Sequence, residues 1–74
     1  MLLSDQQGNY SIYCPSDEER KRIIELCYIN DMTLGMEIIL DYSREPYVCI
    51  GSDGMFYTGS MAFDKVIQST EITE

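Results

Sequence analysis

The side chains of this sequence that could do chemistry are thiols, hydroxyls, carboxylates and a few amines, since the sequence contains no histidine. That absence removes the commonest general base and every Ser-His or Cys-His nucleophile pair. Cys14 stands between a predicted strand and a predicted helix start, where a helix terminus can lower the pKa of a thiol. The alternative, which the neighbouring Ile12 favours, is a Cys14 thiol that packs inward. We therefore predict no catalytic residue and a protein that is not an enzyme.

Residues 51–54, Gly-Ser-Asp-Gly, superficially resemble a loop that holds phosphate. They lie between two predicted strands rather than before a helix, so they predict a hairpin turn. Glu37 and Asp41 would share a face only if their segment were helical, and Asp53 lacks further acidic ligands at calcium-loop spacing. No metal or other cofactor is predicted.

The cysteines indicate a reducing compartment. Cys14, Cys27 and Cys49 are odd in number, far apart and set among apolar residues, and no C-x-x-C pair occurs. This pattern predicts three reduced core thiols rather than a disulfide framework, and a zinc site would lack histidine ligands. The sequence begins without a signal-peptide pattern, and its longest aliphatic run, residues 38–40, is too short to span a bilayer. We expect a cytoplasmic protein with no membrane segment.

The charge is strongly negative. Thirteen acidic residues face five basic ones, for a net charge of −8, and residues 31–74 hold eight of the acids and two of the bases. Such a field repels nucleic acid and attracts a basic protein surface. The alternative is that the charge only keeps a small domain in solution.

One helix is clearly predicted. Residues 9–14 alternate as a strand, Pro15 ends it, and Ser16 with Glu19 forms a capping box for a helix over residues 17–29. Its apolar stripe is expected to be buried and its charged positions to be solvated. The stripe comprises Ile23, Ile24, Leu26 and Cys27, and the solvated set comprises Arg20, Lys21, Arg22 and Glu25.

The remaining elements are mostly strands. Residues 36–42 alternate as a strand, with a short helix from Thr33 as the alternative, and residues 47–50 and 55–58 form a hairpin. Residues 62–67 form a final strand or a helical turn, and a polar tail begins at about residue 69. The prediction is one α+β domain over residues 1–74, with one helix packed on a small antiparallel sheet in the order β-α-β-β. So small a domain often gains stability from a second copy, so a homo-oligomer is expected.

Six tyrosines are an unusual number for 74 residues. Rigid rings with a polar hydroxyl are enriched at binding surfaces, although each one also suits a strand. Tyr13 points opposite to Ile12, and either Phe56 or Tyr57 must lie on the outer side of its strand. Some of these rings are therefore expected to form a contact surface.

The segments "CPSDEERKRIIELCY" and "PYVCIGSDGMFYTGS" resemble the small accessory proteins that phages encode, in which a strand and a proline-capped helix precede a turn and a hairpin ending in Gly-Ser. The resemblance covers most of residues 9–60. It implies a counter-defence factor in an infected bacterium, and the acidity is similar to that of anti-CRISPR proteins that mimic DNA. It assigns no individual functional residue.

Two functional hypotheses follow, with a small structural subunit as a third. The first is a non-enzymatic inhibitor in the host cytoplasm that docks on a basic, nucleic-acid-binding host complex. Its contact residues would be Glu37, Asp41, Glu45, Asp53 and Asp64, with Tyr13 and Tyr57 as anchors. The second is an oligomer that sequesters a nucleotide signal, with Phe56 stacking on the base and Arg20, Arg22 or Lys65 meeting the phosphates.

Overall fold

The structure, a computed structural model, describes residues 1–35 and 45–73. Within these residues one α-helix and five strands form an α+β fold, as predicted. They are β1 (Tyr10–Tyr13), α1 (Asp17–Ile29), β2 (Thr33–Leu34), β3 (Tyr47–Ile50), β4 (Met55–Gly59) and β5 (Val66–Gln68), with short 3₁₀ helices at Leu3–Asp5 and Ser69–Glu71.

The sheet is mixed, with the strand order β2-β4-β3-β1-β5. β3 is antiparallel to both β1 and β4, whereas β5 is parallel to β1 and β2 is parallel to β4. The predicted hairpin of β3 and β4 is confirmed, but the predictions of a purely antiparallel sheet and of a β-α-β-β order are wrong. The reason is that the β1–β2 and β4–β5 connections each pass over two intervening strands and return the chain to the end of the sheet at which the preceding strand began, so the new strand runs parallel to it.

Those two crossovers lie on opposite faces of the sheet. α1 joins β1 to β2 on one face, and residues 60–65 join β4 to β5 on the other, where they contact Ser11 and Cys49. The first crossover moves toward one edge of the sheet and the second toward the other edge. They therefore have the same hand, as the common twist of the strands requires.

Helix α1 has the predicted bounds and N-cap residue, but only the Ser16 half of the predicted capping box forms, since the Glu19 carboxylate pairs with Arg22. The Ser16 Oγ accepts a hydrogen bond of 3.2 Å from the Glu19 N–H, which satisfies a free donor of the first turn. At the other end, the Asn30 side-chain amide donates to the Leu26 carbonyl at 2.8 Å. Both ends of the helix are thus closed by side chains next to it in sequence.

The core fills the space between α1 and the sheet. The predicted stripe of α1 is buried, as are the side chains that the three central strands direct toward it. Leu3 and Ile72 close the core from the two ends of the described chain. The strand members of this cluster are Tyr10, Ile12, Val48, Ile50, Phe56 and Ile67.

Arg20 corrects one sequence prediction. It was expected to be solvated, but only 5% of it is exposed. Its Nε donates to the Glu45 carbonyl at 2.6 Å, and its terminal nitrogen pairs with Asp17 at 2.7 Å. A buried cation is tolerated here because its donors meet acceptors, one of which comes from a distant part of the chain.

The C-terminal segment corrects another prediction. The expected polar tail from about residue 69 instead contains the turn Ser69–Glu71, and Ser69 and Ile72 are buried. The last predicted element is a strand, β5, which begins only at Val66. Thr33–Leu34 is a strand rather than the start of a helix, and the predicted strand at residues 36–42 lies outside the described residues.

Candidate functional site

The sheet face turned away from α1, which we call the open face, carries Tyr13, Tyr47 and Tyr57. Successive strand residues point to opposite faces, so the partners of the core residues in each strand point to this side. The register places Tyr13 beside Tyr47, and Ser11 beside Cys49, which in turn lies beside Tyr57. Met55, Val66 and Gln68 complete the row of side chains on this face.

Two aromatic pairs lie on the open face. The rings of Tyr13 and Tyr47 are 5.7 Å apart between centroids at an angle of 63°, and those of Tyr57 and Phe63 are 6.3 Å apart at 78°. These edge-to-face contacts hold the rings in place while each remains partly exposed. The sequence-predicted Tyr13 and Tyr57 therefore share one face. Phe56, the residue proposed to stack on a nucleotide base, points to the core and is fully buried.

Residues 60–65 cover the middle of the open face. The Phe63 N–H donates to the Ser11 Oγ at 2.8 Å, and the Ser11 hydroxyl donates to the Cys49 sulfur at 3.3 Å. The Cys49 thiol donates to the Met61 carbonyl at 3.4 Å. Burial raises the pKa of the Tyr57 hydroxyl, and the neighbouring Cys49 raises it further. This polar chain fixes the crossover segment on the sheet and leaves Ser11 fully buried.

A groove of about 490 Å³ lies between the crossover segment and the β3–β4 turn. Asp53 folds back in this turn, where its Oδ1 accepts from the Met55 N–H at 3.1 Å. A Cβ at Gly51 would stand 2.7 Å from that oxygen, so a larger residue at this position would displace the Asp53 carboxylate. The side chains that line the groove are Asn9, Ser52, Asp53, Met55, Tyr57 and Phe63.

The arginines of α1 are used inside the molecule. Arg22 pairs with Glu19 at 2.7 Å and donates to the carbonyls of Ile72 and Ser69 at 3.0 and 2.7 Å. The hydrogen bond within this pair raises the pKa of Arg22 and lowers the pKa of Glu19. Arg20 is bound as described above, so both arginines that the sequence proposed to meet ligand phosphates already hydrogen-bond to acceptors within the fold. Lys65 is exposed and donates to the Gln6 side chain at 3.0 Å.

The surface of the described residues is therefore more acidic than the composition suggests. Lys21 and Lys65 are its exposed basic side chains, because Arg20 and Arg22 turn inward. Most carboxylates have no basic partner in the described part of the chain. Those that are also exposed are Asp5, Glu18, Glu25, Asp31, Asp53, Asp64 and Glu71.

The five predicted acidic contact residues do not form one cluster. Asp53 and Asp64 are exposed, Asp53 in the hairpin turn and Asp64 in the crossover segment. Glu45 is partly buried, and its Oε2 is buried without a hydrogen-bond partner. Glu37 and Asp41 lie outside the described residues. The groove residue Phe63 was missed as a site residue, because the sequence assigned residues 62–67 to one regular element.

The three cysteines are free and buried, as predicted. Burial raises the pKa of Cys14 to about 11 and that of Cys27 to about 12, so the alternative of a lowered Cys14 pKa is wrong. In the described part of the chain, no group of three or more potential ligands could hold a metal ion. None of the helices within residues 1–35 and 45–73 has the length and apolarity needed to cross a bilayer.

Comparison with protein-family models, curated proteins and solved structures finds no match to this chain. We therefore infer a function from the charge and the geometry of the open face.

Proposed function

We propose that this protein is a non-enzymatic inhibitor that binds a basic, nucleic-acid-binding surface of another protein. The single observation that carries the proposal is the engagement of Arg20 and Arg22 by acceptors within the fold, which leaves exposed carboxylates without basic partners, two of them, Asp53 and Asp64, in the turn and the crossover segment beside the open face. Carboxylates attract a basic groove from a distance, and rigid aromatic rings supply contact area once the two proteins meet. A protein with this surface competes with nucleic acid for the same groove.

The resemblance to phage counter-defence proteins suggests the kind of partner. A host immune complex that holds DNA or RNA in a basic channel fits an acidic competitor, which would act in the host cytoplasm. The nucleotide-sequestering alternative has less support, since Arg20, Arg22 and Phe56 are engaged inside the fold. A second copy of this chain is another candidate partner for the aromatic pairs. Light scattering, done before any binding experiment, gives the number of copies in the particle.

The test is capture of basic proteins by the immobilised protein. Host lysate is enriched on heparin for nucleic-acid-binding proteins and applied to the immobilised protein at two salt concentrations. The Debye length is about 10 Å at about 0.1 M salt and about 3 Å at about 1 M salt. We expect specific capture that is lost at high salt and is displaced by a DNA duplex. Capture that duplex DNA does not displace would overturn the proposal.

Matched charge variants locate the binding surface. Asp53→Asn with Asp64→Asn removes two carboxylates from the turn and the crossover segment, and Glu18→Gln with Glu25→Gln removes two from α1. We expect the first pair to weaken capture more than the second. Equal loss of capture in the two double variants would mean that net charge alone drives binding, which contradicts a defined binding surface.

A further inference from the structure

The groove beside the hairpin turn has the chemistry to hold one kind of side chain. We propose that it binds an arginine side chain of the basic partner, with the guanidinium between the Asp53 carboxylate and the rings of Tyr57 and Phe63. This inference rests on the proposed function and adds to it the anchor by which the partner is held.

The ring pair gives the groove a wall that suits a flat cation. Tyr57 and Phe63 meet edge to face, so their planes are nearly perpendicular, at 78°, and each ring is partly exposed. The negative face of an aromatic ring attracts a cation that lies over it. Guanidinium stacks on such a face better than ammonium does, because it is planar and less strongly hydrated.

The carboxylate is fixed at the other side. The Asp53 Oδ1 is held by the Met55 N–H at 3.1 Å, and the Asn9 Oδ1 accepts from the Ser52 N–H at 2.8 Å. The turn is thus anchored to the residue that precedes β1. A carboxylate positioned in advance loses little side-chain freedom when it pairs with a cation.

Size and charge agree with an arginine. The groove of about 490 Å³ falls within the range of about 300–1,000 Å³ that is typical of small-ligand sites. Among the described residues no basic side chain lines it, and Met55 adds an apolar surface for the methylene chain. The nearby Lys65 is engaged by Gln6 instead.

The test is an NMR titration of the full chain with the peptide acetyl-Arg-Arg-Arg-amide, using acetyl-Lys-Lys-Lys-amide as the probe of charge alone. We expect the arginine peptide to shift the amide signals of Ser52, Asp53, Met55, Tyr57 and Phe63 first. We also expect it to bind more tightly than the lysine peptide, since lysine lacks the planar contact. Shifts spread evenly over the acidic surface, or equal binding of both peptides, would overturn the inference.

Two variants test the carboxylate and the aromatic rings of the groove separately. Asp53→Asn keeps the oxygen that caps the turn and removes the charge, and Phe63→Leu removes one ring. Each substitution is expected to weaken binding of the arginine peptide by about two- to fivefold. Glu25→Gln on α1 is expected to leave the affinity for this peptide unchanged. The amide spectrum of each variant reports folding directly. If folded Asp53→Asn binds the arginine peptide with unchanged affinity, the proposed arginine site is overturned. The inhibitor proposal would still stand, because the capture experiment tests it separately.

Discussion

Arg22 connects three parts of the molecule through one side chain. It lies on α1, pairs with the carboxylate of Glu19 one turn earlier, and donates to the carbonyls of Ser69 and Ile72. The Ser69 hydroxyl is also bonded to Glu19, at 3.3 Å. The planar fork of arginine suits this arrangement, because its donors point in fixed directions toward separate acceptors.

We expect Arg22→Lys to destabilise the protein by about 1–2 kcal/mol, since lysine keeps the charge but cannot reach both carbonyls and the carboxylate together. The measurement is the free energy of unfolding in urea. Lys21→Gln is the matched control, because Lys21 is exposed on the same helix and has no ion-pair or hydrogen-bond partner among the described residues. A fully stable Arg22→Lys protein would show that the ion pair alone matters.

The buried thiols are expected to resist chemical modification and to make the free energy of unfolding fall as the pH becomes alkaline. Ellman's reagent should react with none of the three cysteines in the native protein and with all three after unfolding, since all are buried. Burial raises the pKa of Cys14 from 9.0 to about 11 and that of Cys27 to about 12. Their contribution to stability is therefore full below pH 9.0 and is lost as the pH rises toward these values.

The urea midpoint, measured under reducing conditions from neutral pH upward, checks this slope. Cys27→Ala is expected to be less stable at neutral pH because it leaves a cavity, and its stability should fall less steeply above pH 9.0. A native protein that reacts rapidly with the reagent at neutral pH would contradict the buried placement.

At the scale of elements, the β3–β4 hairpin depends on glycine in its turn. Gly54 has φ +84°, in the region that side chains with a Cβ rarely adopt, and nothing lies within 4 Å of the position of an added Cβ. We expect Gly54→Ala to cost about 1–2 kcal/mol through backbone strain alone. Ser52→Ala is the control in the same turn. Thermal unfolding of both variants measures the difference, and equal stability of the two would argue against strain.

Elements with local signals were predictable from the sequence, and those defined by distant pairing were not. Pro15, Ser16 and the charged first turn fixed the start of α1, and the Asp53-Gly54 pair marked the hairpin. The parallel pairing of β5 with β1 joins segments more than 50 residues apart, and no local pattern announces it. The burial of Arg20 depends likewise on Glu45, which lies 25 residues along the chain.

The same distinction applies to the site. Alternation along the strands placed Tyr13, and either Phe56 or Tyr57, on the outer side; Tyr13 and Tyr57 lie on the open face, and Phe56 lies in the core. The groove could not be predicted in this way, because it forms only where the crossover segment brings Phe63 against β4. Its nearest signal in the sequence was the hairpin turn itself.

At the scale of the whole molecule, the last residues complete the fold. A chain that ends at residue 65 would lose β5, the buried Ile67 and Ile72, and both carbonyl partners of Arg22. We expect it to be unfolded, with no dispersion in its amide NMR spectrum, since a domain of this size has little stability to spare. A chain that ends at residue 72 is the control, because it loses the described bonds between Thr73 and Met1 and keeps the core.

The position of β1 has a consequence for synthesis on the ribosome. One of the two neighbours of this strand in the sheet is β5, which is translated more than 50 residues after it. Until then β1 has an unpaired edge, and an unpaired edge of an apolar strand invites pairing with other chains. The yield of folded protein should therefore be sensitive to translation pauses between β1 and β5.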